Sequence, residues 1–330
     1  MAYPSFLVYA SPADNEMVTA LRDQLRANGT EIELNAANTL DAGVDSSADV
    51  LILFIDDSQP QEYSDDLLER LKDKKVIGIG YGAAQLFGRL GLEIRGDACA
   101  HFGTTAPKIQ VEENNLIAAS QFTDPIFPVQ LSPQEFILDH FGMHIPRHSQ
   151  MLSVVDVIAR SDFDESYAPI VRQGNYVMIG MVAPPQMWTP KYAELFQQIA
   201  FALAERKAEK FSRAQWEVTK PGSYEITLAE FESTKAAYYW HAYFRFSKPT
   251  TFSATLSQSP SEHVMMLFMG EKDRLHWTRE DGVAGDVLTI KIDITEQDIK
   301  NIGDFYWWLD VMNFDAAHPA ECTLQIEYDD

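Results

Sequence analysis

An α/β domain followed by an antiparallel β-sandwich is the fold class this sequence predicts, and three observations predict it. Strand and helix signals alternate through residues 1–212. From 213–330 the apolar period changes to two, and turn signals separate short β-branched and aromatic runs. The chain has 330 residues, more than one hydrophobic core usually holds, and 46% of them are hydrophobic, enough for two cores.

In the first domain "SFLVYA" reads as a strand, "DNEMVTALRDQLRANG" as an amphipathic helix closed by Gly29, "TEIEL" as a strand and "DVLILFID" as a buried strand. "YSDDLLERLKDKK" is the next helix and "VIGIGY" the next strand. Near-continuous apolar strands between helices indicate a parallel sheet covered on both faces, with ligands at the carboxyl ends of its strands. Shorter pieces follow, "DACAHFG", "KIQVEE" and "NNLIAAS", then the loop "FTDPIFPVQLSPQEF". The strand "GNYVMIGMVA" and the helix "TPKYAELFQQIAFALAERKAEKF", with Thr189 as N-cap and Pro190 at its first position, close the domain.

The second domain reads as strands "SYEITLAEF", "AAYYWHAYFRFS", "TTFSATLSQ", "HVMMLFMGE", "RLHWTRE", "VLTIKIDI", "FYWWLDVMN" and "CTLQIEY". Such spacing predicts a sandwich of the jelly-roll kind. In "AAYYWHAYFRFS", Tyr238, Trp240, Ala242, Phe244 and Phe246 share one face, expected to be core. Tyr239, His241, Tyr243 and Arg245 share the other. With Trp277, and Trp307 or Trp308, that second face is a candidate aromatic surface, from Tyr239, Tyr243 and Trp277, for a sugar ring or a partner protein.

A formal net charge of -23, spread along the chain, disfavours nucleic acid and anionic lipid as partners. Cys99 and Cys322 fall in different domains, which suggests neither a disulfide framework nor a thiolate zinc site, and no cofactor or metal is expected. No segment supplies about 18 uninterrupted apolar residues, so no membrane span is expected. The start lacks a basic, then apolar, leader pattern, which implies a cytoplasmic protein, or a secreted one if a leader has been removed.

The stretch "VIGIGYGAAQLFGRLGLEIRG" is written like a nucleophile elbow, a strand turning sharply into a helix, with Gly80 where Ser or Cys would stand. Gly78, Ile79, Gly82, Gln85, Leu86, Gly91, Leu92 and Gly96 resemble the elbow of the class I glutamine amidotransferase-like superfamily, in its intracellular-protease-like and trehalose-utilisation-like branches. "TDPIF" and "GNYVMIGMVAPPQMWTPKYAELFQQIAFAL" are similar to further segments of the latter branch. The resemblance implies a flavodoxin-like, doubly wound parallel sheet and a cysteine nucleophile, which Gly80 cannot replace. Tyr81 stands where the family often has His, and Met181, Val182, Ala183 and Pro184 stand near its His-Pro-Glu run. The expectation is a pseudoenzyme acting by binding a ligand or protein, itself or another, with Gly78, Gly80, Tyr81, Gly82 and Gln85 as a degenerate ligand site. Free N–H groups at a helix start could hold an anion or a carbonyl there; packing of the helix close to the sheet explains the same glycines. The last hairpin, "FYWWLDVMNFDAAHPAECTLQIEY", loosely resembles the small β-sandwich appended to secreted bacterial peptidases.

Other constellations point elsewhere. Cys99 and His101, two apart on a strand, share a face and could form a thiolate pair, although lone cysteines are commonly inert and buried. His140, His144 and His148 recur every four residues, but Gly142 and Pro146 interrupt the helix that would align them as metal ligands, leaving surface or capping roles. The opening "FLVYASPADNEMVTALRDQLRANGTEIEL" resembles a TIR domain, in which Glu69 of "SDDLLERL" would be the glutamate of an NAD hydrolase. The bland reading makes Ser64 an N-cap and Glu69 an exposed helical charge.

Overall fold

The structure is a computed structural model, and it describes the chain apart from residues 1–2, 12–14, 27–30, 56–62, 97–98, 105–107, 130–137, 146, 148, 163, 232–237, 271–277, 304 and 330. The described residues form two compact units, Met1–Ala214 and Gln215–Asp330.

Four of the strands that begin the first unit are β1 (Ser5–Ser11), β2 (Glu33–Ala37), β3 (Val50–Ile55) and β4 (Val76–Ile79). Together with β11 (Tyr176–Ile179) they pair in parallel in the order β2-β1-β3-β4-β11. β3 shows why its sequence is a continuous apolar run. Val50, Ile52 and Phe54 enter one core cluster while Leu51, Leu53 and Ile55 enter another, so both faces of the strand are buried. Helices α1 (Asn15–Leu25) and α5 (Pro190–Glu205) supply Leu21, Leu25, Phe196 and Leu203 to the first cluster. Helices α2 (Leu40–Val44), α3 (Asp65–Leu71) and α4 (Tyr81–Leu90) supply Val44, Leu71 and Phe87 to the second.

The sheet is mixed where the sequence predicts a parallel one. β6 (Ile109–Val111), β8 (Asp156–Ser161) and β10 (Ile170–Gln173) extend it beyond β11 with antiparallel pairings in the order β11-β10-β8-β6. β5 (Cys99–Thr104), β7 (Leu138–His144) and β9 (Tyr167–Ala168) form a separate antiparallel sheet. His140 and His144 therefore lie on a strand, not on a helix, and His148 falls outside the described residues.

The segment after α5 is strapped to this unit. The Asn175 side chain donates to the Glu209 carbonyl at 2.7 Å and accepts from the Glu209 N–H at 2.8 Å, and the Phe211 ring meets Tyr176 edge-on at 6.0 Å. Arg213 Nε donates to the Leu90 carbonyl at 3.3 Å.

The second unit contains β12 (Gly222–Leu228), β13 (Tyr239–Phe244), β14 (Thr250–Pro260), β15 (Val264–Gly270), β16 (Thr278–Gly282), β17 (Val287–Ile294), β18 (Trp307–Asn313) and β19 (Ala320–Glu327). They pair as two four-stranded sheets, β12-β19-β14-β17 and β13-β18-β15-β16, every described pairing antiparallel. Between β17 and β18 runs α6 (Glu296–Ile302), started by a capping box in which Thr295 and Asp298 bond each other's backbone N–H. Phe244, Phe252, Phe268 and Trp307 fill the core, the rings of Phe252 and Phe268 stacking at 4.2 Å. On β19 the alternation is complete: Cys322, Leu324 and Ile326 are buried while Glu321, Thr323, Gln325 and Glu327 are exposed. No described helix is long and apolar enough to cross a membrane.

Candidate functional site

The turn between β4 and α4 is built by its glycines. Gly80 is the N-cap of α4 at φ 98° and ψ 162°, a backbone region that only glycine enters without strain. Its N–H donates to the Ile179 carbonyl at 3.2 Å and its carbonyl accepts from the Ala84 N–H at 3.3 Å. A Cβ on Gly78 would stand 2.7 Å from the Phe87 ring and 2.9 Å from the Ala83 methyl, so this glycine lets α4 lie close against β4. Gly82 is buried in the first turn of the helix.

What lies above the turn decides its chemistry. β7 passes over the carboxyl edge of the sheet: the Phe141 N–H donates to the Gly180 carbonyl at 3.0 Å, and a Cβ on Gly180 would come within 1.9 Å of the Phe141 oxygen. The Phe141 ring meets the Tyr81 ring edge-on at 5.8 Å, with Phe141 1% exposed. On the other side Gly96 is packed against Tyr81 and Gln85, at 3.2 and 3.3 Å from where its own Cβ would be. Tyr81 and Gln85 thus serve as packing partners at the turn. Gly96 belongs to the elbow pattern in the sequence, whereas Phe141 and Gly180, which pack beside it, carry no sequence signal beyond a Gly directly after an apolar strand.

The alternative residues are placed as follows. The Cys99 thiol is half-buried, donates to the Arg95 carbonyl at 3.2 Å and lies 4.0 Å from the Met178 sulfur. His101 pairs through its backbone with Phe141 on β7; its side chain is outside the described part. Glu69 stands on α3 as an exposed charge in an ion pair with Lys72, and Ser64 caps that helix by accepting from the Leu67 N–H at 3.2 Å. Cys322 is buried in the sandwich, and that burial pushes its thiol up to about 11, away from thiolate chemistry at neutral pH.

On the outer side of β13, Tyr239, His241 and Tyr243 line up as the alternation predicts. His241 Nδ1 and Tyr239 Oη both bond Asp310 Oδ1 on the neighbouring β18, the tyrosine at 2.9 Å, and His241 Nε2 is buried without a partner among the described residues. Asp310 fixes the imidazole's orientation; its role depends on strand register, which sequence alone does not reveal. Trp216 stacks on Tyr243 at 4.8 Å with planes 2° apart, so one face of that ring is already taken. Trp277 lies outside the described residues. Among the described residues no group of three or more His, Cys, Asp or Glu is arranged to hold a metal.

A cleft of about 400 Å³ opens between residues 121–127 and the first turn of α5. Gln121, Thr123, Asp124, Phe127, Thr189 and Lys191 line it. Thr189 Oγ1 donates to the Phe127 carbonyl at 2.5 Å and its N–H to the Pro128 carbonyl at 3.1 Å, which ties the loop to the helix start. The cleft is at the sheet's carboxyl edge. Ile126 pairs with Ile109, which faces Ser161; two residues back on β8, Ala159 faces Ile170, itself opposite Ile179.

No family model matches the chain, and none of the curated proteins matches it. Among solved structures, the pre-peptidase C-terminal domain of a collagenase from Bacillus anthracis is 9% identical with a TM-score of 0.24, over 32% of this chain and 89% of that one. The carbohydrate-binding module CBM36, in complex with calcium and xylotriose, is 10% identical with a TM-score of 0.21, over 34% of this chain and 92% of that one. A two-domain esterase, CEX, active on acetylated mannans, is 11% identical with a TM-score of 0.21, over 98% of this chain and 91% of that one. Likenesses this distant carry no conclusion about fold or function.

Proposed function

We propose that the first unit is an amidotransferase-like, flavodoxin-like domain that has lost its catalytic apparatus, and that the protein acts by binding or assembly. One observation carries the reading: the apex of the strand-to-helix turn is Gly80, which offers no attacking atom, and the next residue, Tyr81, packs its ring edge-on against Phe141. The parallel order β2-β1-β3-β4-β11, with helices on both faces, supports the flavodoxin-like assignment, since that class has the order 2-1-3-4-5. The strand orders of the second unit, first-eighth-third-sixth and second-seventh-fourth-fifth in its own chain order, support a jelly roll.

The test is turnover by the full chain with glutamine, a casein-derived peptide and methylglyoxal, alongside Cys99→Ala. The expected result is no turnover above buffer by either protein. Ammonia release, peptide cleavage or glyoxal consumption that disappears in Cys99→Ala overturns the reading.

A further inference from the structure

We propose that the cleft between residues 121–127 and the start of α5 binds a neutral sugar ring. This rests on the reading of the first unit as a binding domain, and names the ligand class. Its volume of about 400 Å³ falls within the range of small-molecule sites. Phe127 stands 40% exposed in its wall, an uncommon position for so large an apolar side chain, and its backbone is held by Thr189. Lys108 Nζ lies over this ring, 5.0 Å from its centre, and the exposed remainder of the ring is an apolar surface of the kind that the C–H side of a pyranose covers.

The polar groups choose among ligands. Thr123 and Asp124 are exposed and make no hydrogen bond with the described residues, and Gln121 uses only its Oε1, which accepts from Gln198 at 2.7 Å. What is left on the rim is a carboxylate that accepts, an amide N–H₂ that donates and a hydroxyl that does both. Vicinal hydroxyls, each donor and acceptor, match that set. An anion would meet Asp124. A cation would meet Lys191, paired with Glu194 at 2.9 Å, and Lys108, which lies 5.0 Å from the Phe127 ring centre. Fixed charges of both signs beside the cleft leave neutral ligands as the class without a repulsive contact.

The experiment is a calorimetric titration of the full chain with glucose, mannose, galactose, xylose, cellobiose and maltose, and separately with inorganic phosphate. At least one sugar should bind saturably at millimolar concentration or below. Phe127→Ala and Asp124→Ala should each weaken it at least tenfold, and Asp124→Ala should do so with the melting temperature unchanged, its side chain being exposed and without a hydrogen bond to the described residues. The proposal is overturned by three results: no sugar binding, sugar binding indifferent to both substitutions, or binding of phosphate alone. Failure here without turnover leaves the non-catalytic reading standing, whereas Cys99-dependent turnover overturns that reading whatever the titration shows.

Discussion

A cysteine placed at residue 80 would not restore an elbow. Any L side chain at φ 98° and ψ 162° is strained, and Gly80→Cys should lower unfolding free energy by about 1–3 kcal/mol, read from urea denaturation, without producing hydrolysis of glutamine. Gln258 shows the opposite case. It is 4% exposed on the core side of β14, and neither its amide oxygen nor its nitrogen finds a partner among the described residues. Gln258→Met keeps the volume and removes two desolvated polar atoms, so it should raise stability by about 1–3 kcal/mol in the same assay. Asp315 contributes on the acid side. Backbone N–H groups of Glu262 and Ala317, then His318, bond its carboxylate and hold it well below the usual carboxylate range. A depressed folded-state value stabilises above the unfolded value of about 3.9 and is lost as pH falls through the folded one. The stability difference between the native chain and Asp315→Asn should therefore be flat above about pH 5 and shrink below about pH 4. A difference that grows on acidification would contradict this.

At the scale of elements, the crossing of β7 at Gly180 is the backbone contact that sets the Phe141 ring against Tyr81. Backbone cannot step aside as a side chain can, so Gly180→Ala, with its Cβ 1.9 Å from the Phe141 oxygen, should destabilise by about 3 kcal/mol and increase exchange of amides in β7. Exchange unchanged at β7 would refute that role. The elements also show what the sequence makes legible. β12, β17 and β19 are legible because each has one face in the core and one in water, as Ile226 and Leu228 against Glu225 and Thr227 do, whereas β15 and β18, buried almost throughout, are legible only as apolar and aromatic runs between turn signals. β8 and β10 could not be read, because Val157–Ser161 and Ile170–Gln173 are buried throughout and show no alternation. The short α6 gave too little periodicity, although Thr295 and Asp298 were its start signal. The glycine turn was legible at the residues themselves. Its cover was not, since Phe141 and Gly180 meet only through the tertiary path of β7.

For the molecule as a whole, the strap at 206–214 sets where the first unit ends. A polypeptide of residues 1–214 should fold with one cooperative transition, and one of residues 1–205 should be less stable by about 2 kcal/mol, because it loses the Phe211 contact with Tyr176 and the paired bonds of Asn175 with Glu209. Equal urea midpoints would show that the strap contributes nothing. The place of β11 in the sheet has another consequence. It pairs with β4 in parallel, yet residues 80–175 separate the two in the chain. While the chain is being synthesised, β1 to β4 emerge first, and the outer hydrogen-bonding groups of Val76–Ile79 have no neighbour until residue 179 has left the ribosome. Nascent chains stalled within that interval carry an apolar, open sheet margin, the feature from which self-association starts. The vulnerable moment for this protein comes before its first unit is complete, and chaperone capture should concentrate on chains of that length.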